Sequence, residues 1–117
     1  MPRPRYAPKT QLLDIKVGTV NEEYLNFEYA AAGMQGWFHS MEDRHIVSTG
    51  ENSLFAIFDG HGGSEVSNEA KKRFKYVMDL KYYADELQWL RRSFRRMDRL
   101  LKDYKDIGAS AIVAYLN

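Results

Sequence analysis

Cysteine is absent from the 117 residues, which excludes disulfide scaffolds, thiolate zinc sites, thiol nucleophiles and CxxC redox chemistry and agrees with a reducing compartment. Proline is scarce: Pro2, Pro4 and Pro8 are the only three, all within the first eight residues among Arg3, Arg5 and Lys9. There they fix φ and remove backbone donors, so residues 1–10 are expected to form a flexible, solvated arm. Neither sign of charge dominates. With 17 Lys+Arg against 16 Asp+Glu the formal charge is +1, so the surface as a whole is no trap for nucleic acid or anionic lipid. The longest apolar run, Ala111–Leu116, is far short of the ~20 residues a membrane-spanning helix needs. No apolar stretch follows the basic N-terminus and no Asn-x-Ser/Thr sequon occurs, so secretion is not expected, and the cytoplasm or nucleus is the expected location.

What is present fits one domain over residues 11–117, since 44% of the residues are hydrophobic and 14% aromatic. A chain of this size buries enough surface to hold a core without a disulfide or metal staple. Leu13-Asp14-Ile15-Lys16-Val17 alternates apolar and polar and predicts a half-buried strand reaching Val20. Further strands are predicted over Phe27–Ala32, Arg44–Ser48, Leu54–Phe58 and Ala109–Leu116. Leu54-Phe55-Ala56-Ile57-Phe58 is apolar throughout, which predicts a central strand covered on both faces.

After Gly62-Gly63 the period lengthens. Val66, Ala70, Phe74 and Val77 predict an amphipathic helix over residues 64–79. A second helix is predicted from Tyr83, Leu87, Leu90, Phe94, Met97, Leu101 and Tyr104, which alternate steps of four and three. Such a stripe suits packing on the sheet or first helix, with pairing to another chain as the alternative. Its other side carries Arg91, Arg92, Arg95, Arg96 and Arg99. Charge runs are usually solvated faces, but guanidinium forks also pair bidentately with phosphate or acidic groups, making these five the candidate interaction residues.

The densest site signal is Phe58-Asp59-Gly60-His61-Gly62-Gly63, a buried strand ending in an acid and a glycine-rich turn that opens a helix. Asp59 is placed to hold a hard cation, the Gly60 carbonyl to add an oxygen, and His61 to donate a proton. Glu42-Asp43 stands just before a neighbouring strand, which could bring Glu42 and Asp59 to one sheet edge. Oxygen ligands without thiols favour Mg²⁺ or Mn²⁺ over zinc. Taken alone, the segment reads equally well as a tight strand-to-helix turn. Neither GxGxxG nor GxxxxGK[ST] occurs, so dinucleotide and P-loop chemistry lack support.

Gly36-Trp37-Phe38-His39-Ser40-Met41-Glu42-Asp43-Arg44-His45, followed by Leu54 to Gly63 and later by Gly108-Ala109-Ser110-Ala111-Ile112-Val113-Ala114, resembles the N-terminal motifs of the metal-dependent Ser/Thr protein phosphatases of the PPM (PP2C) type. The likeness runs from about Phe27 to Leu116. It implies an α+β fold, an antiparallel β-sandwich flanked by helices in a shortened form, about half of a full family domain. It also implies hydrolysis of phosphoserine or phosphothreonine with paired Mn²⁺ or Mg²⁺ ions. By the resemblance Asp59 would bridge the metals, Glu42 and the Gly60 carbonyl would bind one, Asp43 would hold metal-bound water and His61 would be the general acid.

Two departures from the family pattern stand beside these matches. The family's phosphate-gripping arginine falls at Phe38, which offers neither charge nor donor, and His39 would point to the opposite face if this segment were a strand. The family's later Asp-bearing motifs have no counterpart in these 117 residues, so weak Mn²⁺ or Mg²⁺ binding is expected. The expectation is therefore a catalytically impaired pseudophosphatase acting through protein partners, as a homodimer, with nucleic acid not expected. The alternative is an active phosphatase whose site is completed by dimerisation or by more of the same polypeptide.

Overall fold

The computed structural model describes residues 7–50, 52–79 and 85–116. The order of elements is β1 (Leu13–Glu22), β2 (Leu25–Gly33), β3 (Asp43–Ser48), β4 (Ser53–His61), α1 (Glu65–Asp79), α2 (Glu86–Leu100) and β5 (Gly108–Leu116). β1 and β2 form a two-stranded antiparallel sheet, and β3-β4-β5 form a second antiparallel sheet with β4 in the middle. Among the described residues, two antiparallel sheets with two helices make the α+β form that the resemblance implies. Residues 1–6 of the expected arm lie outside the described residues. Lys9 is anchored, exchanging two 2.8 Å backbone hydrogen bonds with Gly36.

Alternation along β4 decides where the core lies. Leu54, Ala56 and Phe58 are buried, and they meet Ala70, Phe74, Val77 and Met78 of α1 together with Trp89 and Met97 of α2. The ring centroids of Phe58, Phe74 and Phe94 lie 5.7 and 5.2 Å apart in sequence. The alternate residues face the other way. Phe55 is covered by Phe27 and Tyr29 of β2 at 5.8 and 5.5 Å, whereas Ile57 is 56% exposed and Ile112 of β5 73%. β4 is therefore central, but only its inner face is covered along its length, because the β1–β2 hairpin reaches Phe55 and not Ile57. A continuous apolar run does not distinguish full coverage from half coverage.

The β1 expectation also needs correction. Ile15 and Val17 are 54% and 73% exposed, and the buried residue of the strand is Val20. The cause is an irregularity between Leu13 and Lys16, where Asp14 takes a positive φ of 49°. A one-residue shift moves the alternating set to the other face. Further along, the Tyr29 ring lies directly over Gly18 of β1, where any β-carbon would collide with it.

Asp14 fastens the irregular segment to the second sheet and to α1. Its carboxylate accepts a 2.6 Å hydrogen bond from Lys71 Nζ and lies 3.3 Å from His45 Nε2. The Lys71 hydrogen bond holds the Asp14 carboxyl below the ordinary aspartate range, partly opposed by burial and reinforced by the charges of Lys71, His45 and Lys16. Since the folded state holds this proton less tightly than the unfolded state, the contact adds stability above the unfolded value and loses it as pH falls through the folded one. Asp14→Asn, which also tolerates positive φ, is expected to lower Tm modestly at neutral pH, the pair being screened by water. That difference should vanish in acid below the aspartate range, as thermal melts at the two pH values would show.

α2 is shorter than its apolar stripe suggests. Asp85 caps it, accepting from the Leu87 and Gln88 amides at 3.0 and 3.3 Å, and Tyr83 lies outside the described residues. Its buried line is Trp89, Ser93 and Met97, while Leu87 is 57% exposed and Phe94 38%. The stripe read from the sequence is displaced because Ser93, whose hydroxyl donates to the Trp89 carbonyl, is a polar residue at the centre of the contact. Trp89 Nε1 donates to the Met78 carbonyl at 2.9 Å and Arg96 Nη1 to the Val77 carbonyl at 3.4 Å. Both carbonyls belong to the last turn of α1, where no intrahelical donor remains. α2 therefore docks by satisfying the end of α1. Among the described residues no helix is long and apolar enough to cross a membrane.

Candidate functional site

The pairing of β3 with β4 places Asp43 directly opposite Asp59, so their side chains leave the same face of the sheet. The turn before β3 brings in Glu42. It is held by Arg44 Nη1, which donates to the Met41 and Asp43 carbonyls at 2.8 and 2.9 Å, and by Ser67 of α1, whose hydroxyl makes a short hydrogen bond to the Glu42 carbonyl. Gly60 is buried beneath this contact: a β-carbon there would stand 2.5 Å from the Glu42 oxygen and 3.0 Å from Ser67 Oγ. Asp59 and Gly60 lie inside β4, which runs on to His61 rather than ending at the acid as predicted, and Gly60 serves close approach between β4, the Glu42 backbone and α1.

Asp43, Asp59, Glu42 and Gly60 line one pocket of about 410 Å³ together with Phe38, His39, Ser40, Met34 and Met41. The carboxyl of Asp43 is pushed above the ordinary aspartate range, first by burial, then by the charge of Asp59, a hydrogen bond with Asp59 and the charge of Glu42, with Arg44 opposing. Glu42 Oε1 accepts from Ser40 Oγ at 3.0 Å. Three carboxylates therefore line one space with no Lys or Arg among the described residues of its wall, and the crowding of Asp59 and Glu42 around Asp43 outweighs the charge of Arg44.

The residues match a divalent cation in type but not in arrangement. Among the described residues no three His, Asp or Glu side chains are grouped so as to hold a metal ion. The donor set of these residues does not by itself fit a bound Mn²⁺ or Mg²⁺.

The remaining candidates are placed as follows. His61 ends β4 opposite Gly108 of β5, where its ring occupies the space a Gly108 side chain would take. It lines a neighbouring cavity with Phe58, Phe74 and Phe94 rather than the carboxylate pocket. Phe38 is 78% exposed in a turn where its amide donates to the Gln35 carbonyl at 3.3 Å and its own carbonyl accepts from Gln35 Nε2 at 2.8 Å. The segment between β2 and β3 is not a strand, so strand register does not turn His39 away, and His39 lines the pocket beside Phe38. Residue spacing missed Ser40 and Ser67, because a lone serine carries no pattern.

A family model described as "Protein phosphatase 2C" matches residues 27–117. "Probable protein phosphatase 2C 5" of Paramecium tetraurelia is 38% identical over 102 residues, covering 82% of this chain and 33% of that protein. "Probable protein phosphatase 2C 6" of the same organism is 40% identical over 82 residues, 65% of this chain and 28% of that protein. "Probable protein phosphatase 2C 18" of Oryza sativa subsp. japonica is 43% identical over 61 residues, 48% and 8% respectively. The chain spans about a third or less of the length of these relatives.

Proposed function

Because the chain belongs to the protein phosphatase 2C family, matched over residues 27–117, we propose that it is a catalytically impaired member whose fold serves protein contacts. The observation that carries this reading is the wall of the pocket: Glu42, Asp43 and Asp59 with Phe38 beside them, and no Lys or Arg among its described residues. A phosphomonoester dianion entering there meets acidic side chains, and an apolar ring where a fork of donors would hold it. Binding and transition-state stabilisation both need positive charge at that place. Mn²⁺ or Mg²⁺ would supply it only if further oxygen ligands joined these carboxylates.

A second reading rests on the open sheet face bearing Ile57 and Ile112. There another stretch of polypeptide, a second copy included, would cover the sheet and complete the site of an active protein serine/threonine phosphatase.

The test is Mn²⁺-dependent hydrolysis of p-nitrophenyl phosphate by the chain beside Asp59→Ala and Phe38→Arg. Under the first reading the chain shows no turnover above the Asp59→Ala background. Turnover that Asp59→Ala abolishes would overturn it, and a rate rising with the square of protein concentration would assign completion of the site to a second copy. Activity in Phe38→Arg alone would locate the impairment at the missing phosphate grip.

A further inference from the structure

The outer face of α2 carries the densest charge in the chain that neither the core nor the carboxylate pocket uses. Its sequence ELQWLRRSFRRMDRL contains five arginines and no lysine. With Trp89, Ser93 and Met97 turned inward, the helical period puts Arg91, Arg92, Arg95 and Arg99 on the opposite side. Arg92, Arg95, Arg96 and Arg99 line a solvent-open groove of about 490 Å³ whose only acid among the described residues is Asp98. Among the described residues Arg91, Arg95, Arg96 and Arg99 form no ion pair with a carboxylate.

We propose that this face is a docking surface for a short phosphorylated segment of a protein partner. Three observations choose that occupant. The exclusive use of arginine favours phosphate, because the planar guanidinium presents paired N–H groups matched to phosphate oxygens, whereas lysine offers a single point charge. Arg95 and Arg99 stand one turn apart, about 6 Å along the axis, so two forks can hold one phosphate between them. The patch is also short. From Arg91 to Arg99 it runs about 12 Å; before it stand Asp85 and Glu86, and after it Asp103 and Asp106 offset Lys102 and Lys105, so the net positive charge does not extend along a long polyanion. Aromatic residues, on which single-stranded nucleic acid stacks, do not interrupt the run of Arg91, Arg92, Arg95 and Arg99 on that side. α2 holds none of the pocket carboxylates, so the proposal is independent of whether the chain hydrolyses phosphate.

The test is fluorescence anisotropy at physiological salt with a labelled short peptide carrying two phosphoserines, its unphosphorylated twin and a single-stranded DNA oligonucleotide. The phosphopeptide is expected to bind at least about tenfold more tightly than either competitor, the scale of one or two charge-assisted hydrogen bonds. Arg95→Glu/Arg99→Glu should remove most of that binding. Arg95→Lys/Arg99→Lys, which keeps charge and helix and removes only the forks, should weaken it about three- to tenfold. Lys72→Glu, on the exposed side of α1, should leave it unchanged. Equal affinity for the phosphorylated and unphosphorylated peptides, binding of DNA as tight as that of phosphopeptide, absence of binding, or wild-type affinity in the Lys variant would each overturn the proposal. The Lys variant decides the matter if circular dichroism finds the Glu variant less helical.

Discussion

Phe74→Ala is expected to lower the free energy of unfolding by about 3–5 kcal/mol, the cost of a large aromatic deletion in a core that cannot collapse onto the gap. Phe74 is 1% exposed, and its ring stands between Phe58 of β4 and Phe94 of α2, so the cavity would open where sheet and both helices meet. Since a domain has only about 5–15 kcal/mol in hand, the variant should unfold at a much lower urea concentration with little change in m-value. Ile112→Ala supplies the contrast. That side chain is 73% exposed, and its loss should change stability by no more than about 0.5 kcal/mol. A cost below about 1 kcal/mol at Phe74 would mean that the helices do not pack on the sheet as described. A large cost at Ile112 would mean that the open face is covered in solution by another polypeptide.

Gly60→Ala should destabilise by about 1–3 kcal/mol, the usual penalty for forcing a methyl group into a filled space. The obstacle is the Glu42 backbone oxygen, 2.5 Å from where the new carbon would stand, and a backbone atom in the turn that leads into β3 cannot turn aside as a side-chain end does. The strain would fall on the segment that carries Glu42 and Asp43 into the pocket. Adding Ser67→Gly removes the neighbouring Ser67 hydroxyl but leaves that oxygen in place, so the double variant should recover little of the loss, by urea unfolding of both. Full recovery would show instead that the serine, not the strand, is the crowded partner.

Local signals carried far where the chemistry is local. Asp59-Gly60-His61-Gly62-Gly63 marked the junction of the central strand and α1 but not where the strand ends, since β4 continues through Asp59 and Gly60 to His61 and the turn is made by Gly62-Gly63. Spacing alone failed where burial depends on a partner. Ile15 and Val17 alternate as buried residues do, yet one irregularity at Asp14 turns them to solvent. Ser93 has no apolar character, yet it sits at the centre of the α2 contact because its hydroxyl finds the Trp89 carbonyl.

The sequence by itself determined, among the described residues, the five strands and two helices, the candidate acids and the likeness to the phosphatase family, all of which are written in residue type and short-range order. Only the tertiary structure decided that Asp43 faces Asp59 across the β3–β4 ladder, that His61 turns instead toward Gly108, that His39 joins Phe38 in the pocket wall, and that the outer face at Ile57 stays open. Each of these depends on the register of two segments distant in the chain or on how far one sheet reaches over another. A register is fixed by the summed packing of both partners, and neither segment carries that information alone.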